Sequence, residues 1–526
     1  MLALCSARSA HMATHTNPAL LTSRLSGILA HPSSLPGGYG IGDLGAASAE
    51  FVDFLADAKQ SIWQVLPMGP TVPEEYHSPY ASVSAFAGNP LLISLDTLVK
   101  DGLLGIGDIA RQNRKTPCGR SSTKVDFRAL TRFKLPLLHL AARNFAGSRA
   151  DAAIERFSAE NSWAANYAQY AALRERFKTT RQNWPRALRF KPVRLTGLLA
   201  EPLSSEELRT QLVMQLLFAK QWAALRLHAA RKGVSLWGDL PIYVSNDSAD
   251  VWAHPEYFEV DRKTGAPGLI SGVPPDMFNS KGQLWGHPLY NWKALKHDRF
   301  RWWIERFRSL QHSFDIVRVD HFRGFESYWA VPGGSENATG GTWMKCPGKE
   351  LFSAVSKALG SLPLFVEDLG IITPEVHALR EHFGLMGTRV LQFSFSGDPA
   401  NSSKSRHHPI NTPHHAVTYT GTHDNPPVAE WFATLPAANK AKIRGLLNDC
   451  KPGDVPHQFV RLAMSLPARI AIVPMQDVLG AGKGHRMNVP GTVSWNNWAW
   501  RFTSVPKKTA TRLAHLSEVF ERNQNI

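Results

Sequence analysis

Eight short apolar, β-rich runs recur along the chain, and most end in polar or acidic residues. They are GILAHPSS (27–34), IWQVLPMG (62–69), VSLWGDLP (234–241), DIVRVDHF (315–322), LFVEDLG (364–370), RVLQFSFS (389–396), AVTYTGTHD (416–424) and RIAIVPMQD (469–477). Near-continuous hydrophobicity of this kind is what a strand buried on both faces requires. Helical patterns stand between most of them, at 51–58, 206–232, 300–310, 350–359, 374–383, 437–448 and 510–523. Eight β-then-α units predict an α/β fold, a (β/α)8 TIM barrel. Length alone, 526 residues, suggests several domains, but a barrel with insertions can use such a chain as one unit.

The expected catalytic barrel therefore runs over 25–526, with insertions in three gaps too long for simple crossovers. Residues 90–205 read as a helical subdomain, 245–298 as a Gly-, Pro-, Trp- and Tyr-rich lid beside the active face, and 324–348 as a smaller excursion. Residues 1–24 are rich in Ser and Ala, basic and free of acidic residues. They read as a disordered extension, or as a start codon placed ahead of the true one at Met12; no apolar signal stretch is present.

Basic residues outnumber acidic ones, 59 to 43, a net +16 with a pI near 9.7. Outside short clusters such as Arg111, Arg114 and Lys115, or Lys507 and Lys508, they are scattered. A folded nucleic-acid binder usually gathers its charge on one face, so no nucleic-acid partner is expected; if there were one, its binding would fall steeply with salt. Cys5, Cys118, Cys346 and Cys450 are widely separated, with no CxxC. Neither a disulfide framework nor a zinc site is expected, and a reducing cytoplasm fits. No apolar run reaches the ~18–20 residues of a membrane helix. EF-hand, P-loop and dinucleotide motifs are absent, so no cofactor and no metal are expected.

Catalytic side chains of such barrels project from the carboxyl ends of the strands. Three acids stand there: Asp320, Glu367 and Asp424, closing the fourth, fifth and seventh runs. Retaining cleavage of a glycosidic bond needs an ionised carboxylate to attack the anomeric carbon and a protonated one to release the leaving oxygen, about 5–5.5 Å apart. A third acid can stabilise the distorted sugar. Arg318 lies two residues before Asp320, so both side chains leave one strand face, and its charge favours the ionised form. Taken alone, the Arg-x-Asp pair reads first as a structural ion pair. Glu367 follows apolar residues and adjoins Asp368; burial and like charge both raise a carboxyl pKa, as a general acid requires.

Further segments surround these acids: HPSSLPGGYGIGDLG (31–45), WQVLPMGPT (63–71), SPYASVSAFAGNP (78–90), GDLPIYVSNDSADVWAHPEYF (238–258), GVPPDMFNSKGQLWGHPLYNW (272–292), FDIVRVDHFRGFESYWAVP (314–332), FVEDLGIITPEV (365–376), YTGTHDN (419–425) and RMNVPGTV (486–493). In this order, over roughly residues 25 to 502, the chain resembles the amylomaltases, the 4-α-glucanotransferases or disproportionating enzymes of the α-amylase clan. The resemblance implies Asp320 as nucleophile, Glu367 as general acid/base and Asp424 as transition-state stabiliser. It places Arg318 and His423 around the sugar at the cleavage point, Tyr80 as the platform beneath it with Ser78 nearby, and Trp285 as an acceptor-side platform. Asp239, Asp276, His321, Asp368, Asn488 and Ser494 match positions that line the groove. Among 16 Trp and 10 Tyr, a single aromatic without its motif reads as core. The chain departs from the family pattern at Pro426-Pro427, Cys346, Met277 and SWNNWAWR (494–501); none of these is a catalytic acid.

The same acids serve amylases that use water. A glycosyl-enzyme opens to a sugar hydroxyl when the acceptor is held and water is excluded, the task assigned to the 245–298 segment. The expected reaction is transfer of an α-1,4-glucan segment from a donor glucan to the 4-OH of a glucose or glucan acceptor. A retaining hydrolase and a silent glucan-binding protein are the alternatives; turnover of maltotriose separates all three.

Overall fold

All eight apolar runs contribute a strand, and in the computed structural model the eight strands pair in parallel. Residues 19–119, 123–192, 202–275, 279–361 and 363–522 are described by it. The barrel strands are β1 (Leu25–Leu29), β2 (Ile62–Gln64), β3 (Ser235–Leu240), β4 (Ile316–Val319), β5 (Leu364–Val366), β6 (Gly387–Val390), β7 (Ala416–Tyr419) and β8 (Ile470–Pro474). They are paired in the order β6-β7-β8-β1-β2-β3-β4-β5. The parallel bridge between Phe365 and Met386, with Val366 N–H donating to Met386 O at 2.9 Å, closes the ring between β5 and β6. Every residue of the eight strands is buried, which is why the runs carry so little alternation. Close approach is demanded at Gly27, where a Cβ would lie 2.3 Å from that of Ile62 in β2.

The strands are shorter than the runs, because several runs continue into the loops that follow. The largest correction is at 389–396: the strand ends at Val390, and Leu391–Phe395 is a turn of helix. Leu391 and Phe395, four apart, bury one helical face in a core shared with Trp431 and Phe459. A strand would have sent Leu391 and Phe393 to one face; in the helix Phe393 is exposed instead.

Helices flank the strands: Ala46–Asp57, Ser205–Arg231, Arg301–Ser313, Gly348–Leu359, Pro374–His382, Val455–Ser465 and Lys507–Val519. The long Ser205–Arg231 helix starts at a capping box. Ser204 Oγ accepts from Glu207 N–H, and a Glu207 oxygen accepts from Ser204 N–H. Buried Arg522 seals the amino end of the barrel by donating to the carbonyls of Leu25, Met464, Leu466, Ala468 and Arg469. Between β2 and β3 lie the helices Leu95–Lys100, Ile106–Lys115, Phe127–Asn144, Ser148–Glu160 and Ala164–Phe177. Segments on either side of β4 unite in one antiparallel sheet, in the order Gln283–Pro288, Leu269–Val273, Ser327–Pro332, Thr342–Lys345. Among the described residues no helix is long and apolar enough to cross a membrane.

Candidate active site

The carboxyl ends of β3, β4, β5 and β7 bring four acids to one mouth. Asp239 is the penultimate residue of β3, Asp320 and Glu367 directly follow β4 and β5, and Asp424 stands five residues beyond β7. Asp320 N–H donates to Leu240 O and Glu367 N–H to Val319 O, each at 3.0 Å, which keeps the three adjoining strand ends in step.

Arg318, in β4, joins them. One of its terminal nitrogens contacts both Asp239 oxygens, at 2.8 and 2.6 Å; the other lies 2.9 Å from Asp320 Oδ1 and 3.4 Å from Glu367 Oε2. The ion pair read from Arg-x-Asp is therefore present, as part of a four-membered cluster. Two oxygens at 2.9 and 3.4 Å from one nitrogen can be no more than about 6.3 Å apart. Glu367 Oε2 also accepts from His321 N–H at 2.7 Å, which leaves Oε1 to carry a proton. The His321 ring meets Trp285 edge-on, centroids 4.7 Å apart, so the residue after the Asp320 turn touches the antiparallel sheet.

On the other side of the mouth, Tyr80 donates from its hydroxyl to Asp239 at 2.7 Å, and its ring stacks on His423 at 5.1 Å with planes 13° apart. Ser78 Oγ accepts from Tyr80 N–H at 3.3 Å, so Ser78 fixes the turn that presents the ring. Asp424 Oδ1 accepts from Asn488 Nδ2 at 2.7 Å and lies 3.5 Å from His423 Nε2. Asn488 N–H donates to His423 O at 3.1 Å.

Burial dominates the electrostatics. It raises the Asp320 carboxyl to about 7, against the opposing pull of Arg318 and with the help of the Glu367 and Asp424 charges. Glu367 is raised by burial too, with Arg318 and the His321 N–H pulling the other way and Asp424 and Asp239 adding to the rise. The pair thus holds a proton near neutral pH. Arg318 touches Asp320 more closely, which draws the negative charge to Asp320 and the proton to Glu367. Burial keeps His321 neutral, its pKa about 3, and lowers that of His423. Both rings then have a donor and an acceptor for sugar hydroxyls.

Not every residue expected along the groove faces it. Asp368 is a correction: its side chain is 1% exposed, bound to Arg380 and Arg406 at 2.6 Å each and to Thr388 N–H at 2.8 Å. It therefore anchors the segment after Glu367, and the like charges that raise Glu367 belong to Asp424 and Asp239. Asp239 is also buried, beneath Arg318 and Tyr80 instead of open to the groove. The Ser494 hydroxyl accepts from Asn496 N–H inside its own turn. Asp276, and Met277 beside it, lie outside the described residues.

Two neighbours escaped the residue-by-residue reading. Arg486 donates to the Asp424 carbonyl and to Asn488 O, bracing both. Trp498, in left-handed backbone at φ 64°, sets its ring 5.4 Å from Tyr80 and 6.0 Å from His423. Each sits in a segment already marked, RMNVPGTV or SWNNWAWR, but no local pattern distinguishes it there.

Three comparisons bear on this site. The family model described as 4-alpha-glucanotransferase matches residues 30–507. The 4-alpha-glucanotransferase of Synechocystis sp. is 43% identical over 491 residues, covering 92% of this chain and 94% of that protein. That of Thermus thermophilus is 40% identical over 511 residues, covering 95% and 99%. Among solved structures, an amylomaltase from Streptococcus agalactiae in complex with acarbose superposes with a TM-score of 0.89 at 36% identity, covering 95% of this chain and 99% of that one.

Proposed function

The chain belongs to the 4-alpha-glucanotransferase family and is a glycosyl-transferring enzyme of that activity, and from this premise we propose how its residues divide the work. Asp320 is the nucleophile, Glu367 the general acid and base, and Asp424 the stabiliser of the transition state. One observation carries the reading: Asp320 and Glu367 share a single guanidinium nitrogen of Arg318, which keeps their nearest oxygens closer than the ~6.5–9.5 Å that an inverting enzyme needs for its water.

In the first step an Asp320 oxygen attacks C1 of the donor glucose. The C1–O4 bond breaks, Glu367 gives its proton to the departing O4, and a glycosyl ester of Asp320 remains. In the second step the 4-OH of an acceptor attacks C1 as Glu367 takes its proton, and the ester bond returns its electrons to Asp320. Two inversions leave the α configuration intact. Asp424, held by Asn488 and braced through Arg486, faces the sugar hydroxyls as the ring flattens. Tyr80 lies beneath the ring, and His423, stacked on it, donates from above the Asp424 side.

Transfer over hydrolysis is assigned to the antiparallel sheet acting as a lid, with Trp285 as the acceptor platform against His321. We take residues 25–526 as one catalytic unit, with 90–205, 245–298 and 324–348 inserted in it, and place the reaction in the cytoplasm, where Cys118, Cys346 and Cys450 stay free thiols. Maltotriose incubated with the enzyme should yield glucose and a ladder of longer glucans, seen by thin-layer chromatography. Products shorter than maltotriose alone would make the chain a hydrolase, and no products at all a binding protein.

A further inference from the structure

Asp424 is carried on the eight residues from Thr420 to Pro427, between the end of β7 and the helix Val428–Thr434. Both ends of this loop are tied to one carboxylate that the reaction scheme does not use. Thr420 donates from its hydroxyl to Asp477 Oδ2 at 2.5 Å, and Val428 N–H donates to Asp477 Oδ1 at 2.7 Å. Asp477 sits in the short helix Met475–Leu479 that follows β8, with 1% exposure. From this geometry we infer that Asp477 is a positioning residue for transfer, closing the Asp424 loop like a clasp so that the Asp424 carboxylate stands at a fixed place in the mouth.

The sequence of the loop explains why a side chain is needed. Pro426 and Pro427 have no N–H, so after Asn425 the first backbone donor is Val428, the one that Asp477 holds. Inside the clasp the loop is braced by its own side chains: Asn425 Oδ1 accepts from Thr422 N–H at 2.9 Å, and Thr422 Oγ1 accepts from Asp424 N–H at 3.3 Å. Gln392 Nε2 donates to Pro426 O at 2.9 Å. These bonds shape the loop, and Gln392 also spans it, its own N–H donating to Thr420 O at 3.2 Å; Asp477 is the carboxylate that takes the Thr420 hydroxyl and the Val428 N–H together.

The site has a cost that core packing does not explain. Among the described residues Asp477 has no cationic partner, and burial raises its carboxyl to about 6 against the two hydrogen bonds. A buried, unpaired carboxyl is destabilising where an apolar residue could fill the space. Its two oxygens are instead fully used on the one loop that brings an acid to the sugar.

The inference rests on the reading of Asp424 as transition-state stabiliser, and the experiment separates the two. Initial rates of maltotriose disproportionation, and of transfer from an α-glucosyl fluoride donor, are measured for Asp477→Ala, Asp477→Asn, Asp424→Asn and the Asp477→Ala/Asp424→Asn pair. Asp477→Ala should lower kcat on the order of 100-fold, the effect of misplacing a catalytic group by about 1 Å, with KM little changed. Asp477→Asn keeps an acceptor for Val428 N–H and an amide for Thr420, so it should restore most of the rate. In the Asp424→Asn background the alanine should then cost little more. Equal losses from Asp477→Ala with and without Asp424 would overturn the positioning role, as would an Asp477→Asn variant no better than alanine. A fully active Asp424→Asn would instead remove the reading beneath it. If Asp477→Ala does not fold, Thr420→Val opens one half of the clasp and should show the same kcat loss in part; an unchanged kcat would overturn the inference.

Discussion

Replacing Arg318 by Met keeps an unbranched stem and removes the charge that three carboxyls share. At 2.9 and 3.4 Å, with an effective dielectric of about 20, a guanidinium favours each ionised catalytic carboxyl by roughly 5–6 kcal/mol. Asp239 engages the same guanidinium, and solvent reaches the mouth, so the working shift is the ~1–3 units typical of a carboxyl beside an arginine. Arg318 lowers the pKa of Asp320, so its loss raises it, from about 7 to roughly 8–10. The acid limb of kcat/KM must then move to higher pH. At pH 7 the Asp320–Glu367 pair then keeps a second proton, on Asp320, that the parent enzyme sheds, and kcat/KM there falls by up to about tenfold for each unit of the displacement. The assay is the pH profile of kcat/KM for maltotriose between pH 5 and 10, with partial recovery in alkali as the signature. Because Asp239 would lose its partner, the Arg318→Met/Asp239→Asn pair is run beside it and should show the same displacement. An acid limb that stays in place, or moves down, in both variants would refute the electrostatic role of Arg318.

Other outcomes follow from the same geometry. Asp320→Asn should abolish transfer while the circular-dichroism spectrum and melting temperature stay near those of the parent; an active variant would refute nucleophilic attack by Asp320. Glu367→Gln should lose ~10²–10⁴-fold with maltotriose, and far less with an α-glucosyl fluoride, whose leaving group needs no proton; equal losses with both donors would refute the acid role. Trp285→Ala should raise the ratio of free reducing ends to transfer products, because the acceptor loses its platform; an unchanged ratio would assign the acceptor to other residues. His31, buried and neutral, has a pKa lowered from 6.5 to about 3. Its contribution to stability is present above pH 6.5 and is lost as pH falls toward 3, roughly 3 kcal/mol by pH 4.5. Thermal melts of His31→Gln should therefore fall less between pH 7 and 4.5 than those of the parent, and parallel curves would show that His31 does not set the acid sensitivity.

The barrel was legible because a strand buried on both sides carries its signature in composition. Ile470, Ala471, Ile472 and Val473 have no polar face to hide. Where that signature misled, at 391–395, the alternation Leu-Gln-Phe-Ser-Phe reads as a strand, yet Leu391 and Phe395 also share one helical face, and only packing against Trp431 and Phe459 decides. The acids at strand ends were legible for a similar reason, since charge at the end of an apolar run must emerge where the strand does. Arg318 beside Asp320 followed from the two-residue period. That the same arginine also reaches Asp239 and Glu367 depends on the stagger of three strands, which sequence does not display. Asp368 shows the limit most plainly: adjacent to Glu367 in the chain, it leaves on the opposite side and meets arginines 12 and 38 positions away. Asp477, likewise, acquires its meaning only when β7 and β8 lie side by side.

Arg318 is set among Asp239, Asp320 and Glu367, and Arg486 against Asp424, while burial keeps His321 uncharged. Even with one proton held by the Asp320–Glu367 pair, the carboxylates outnumber these two guanidiniums, on a chain that is basic overall. Unmodified glucans are indifferent to such a field. A sugar phosphate would be repelled from the innermost positions, and a sugar mimic with a protonated nitrogen near its anomeric carbon would be drawn toward them.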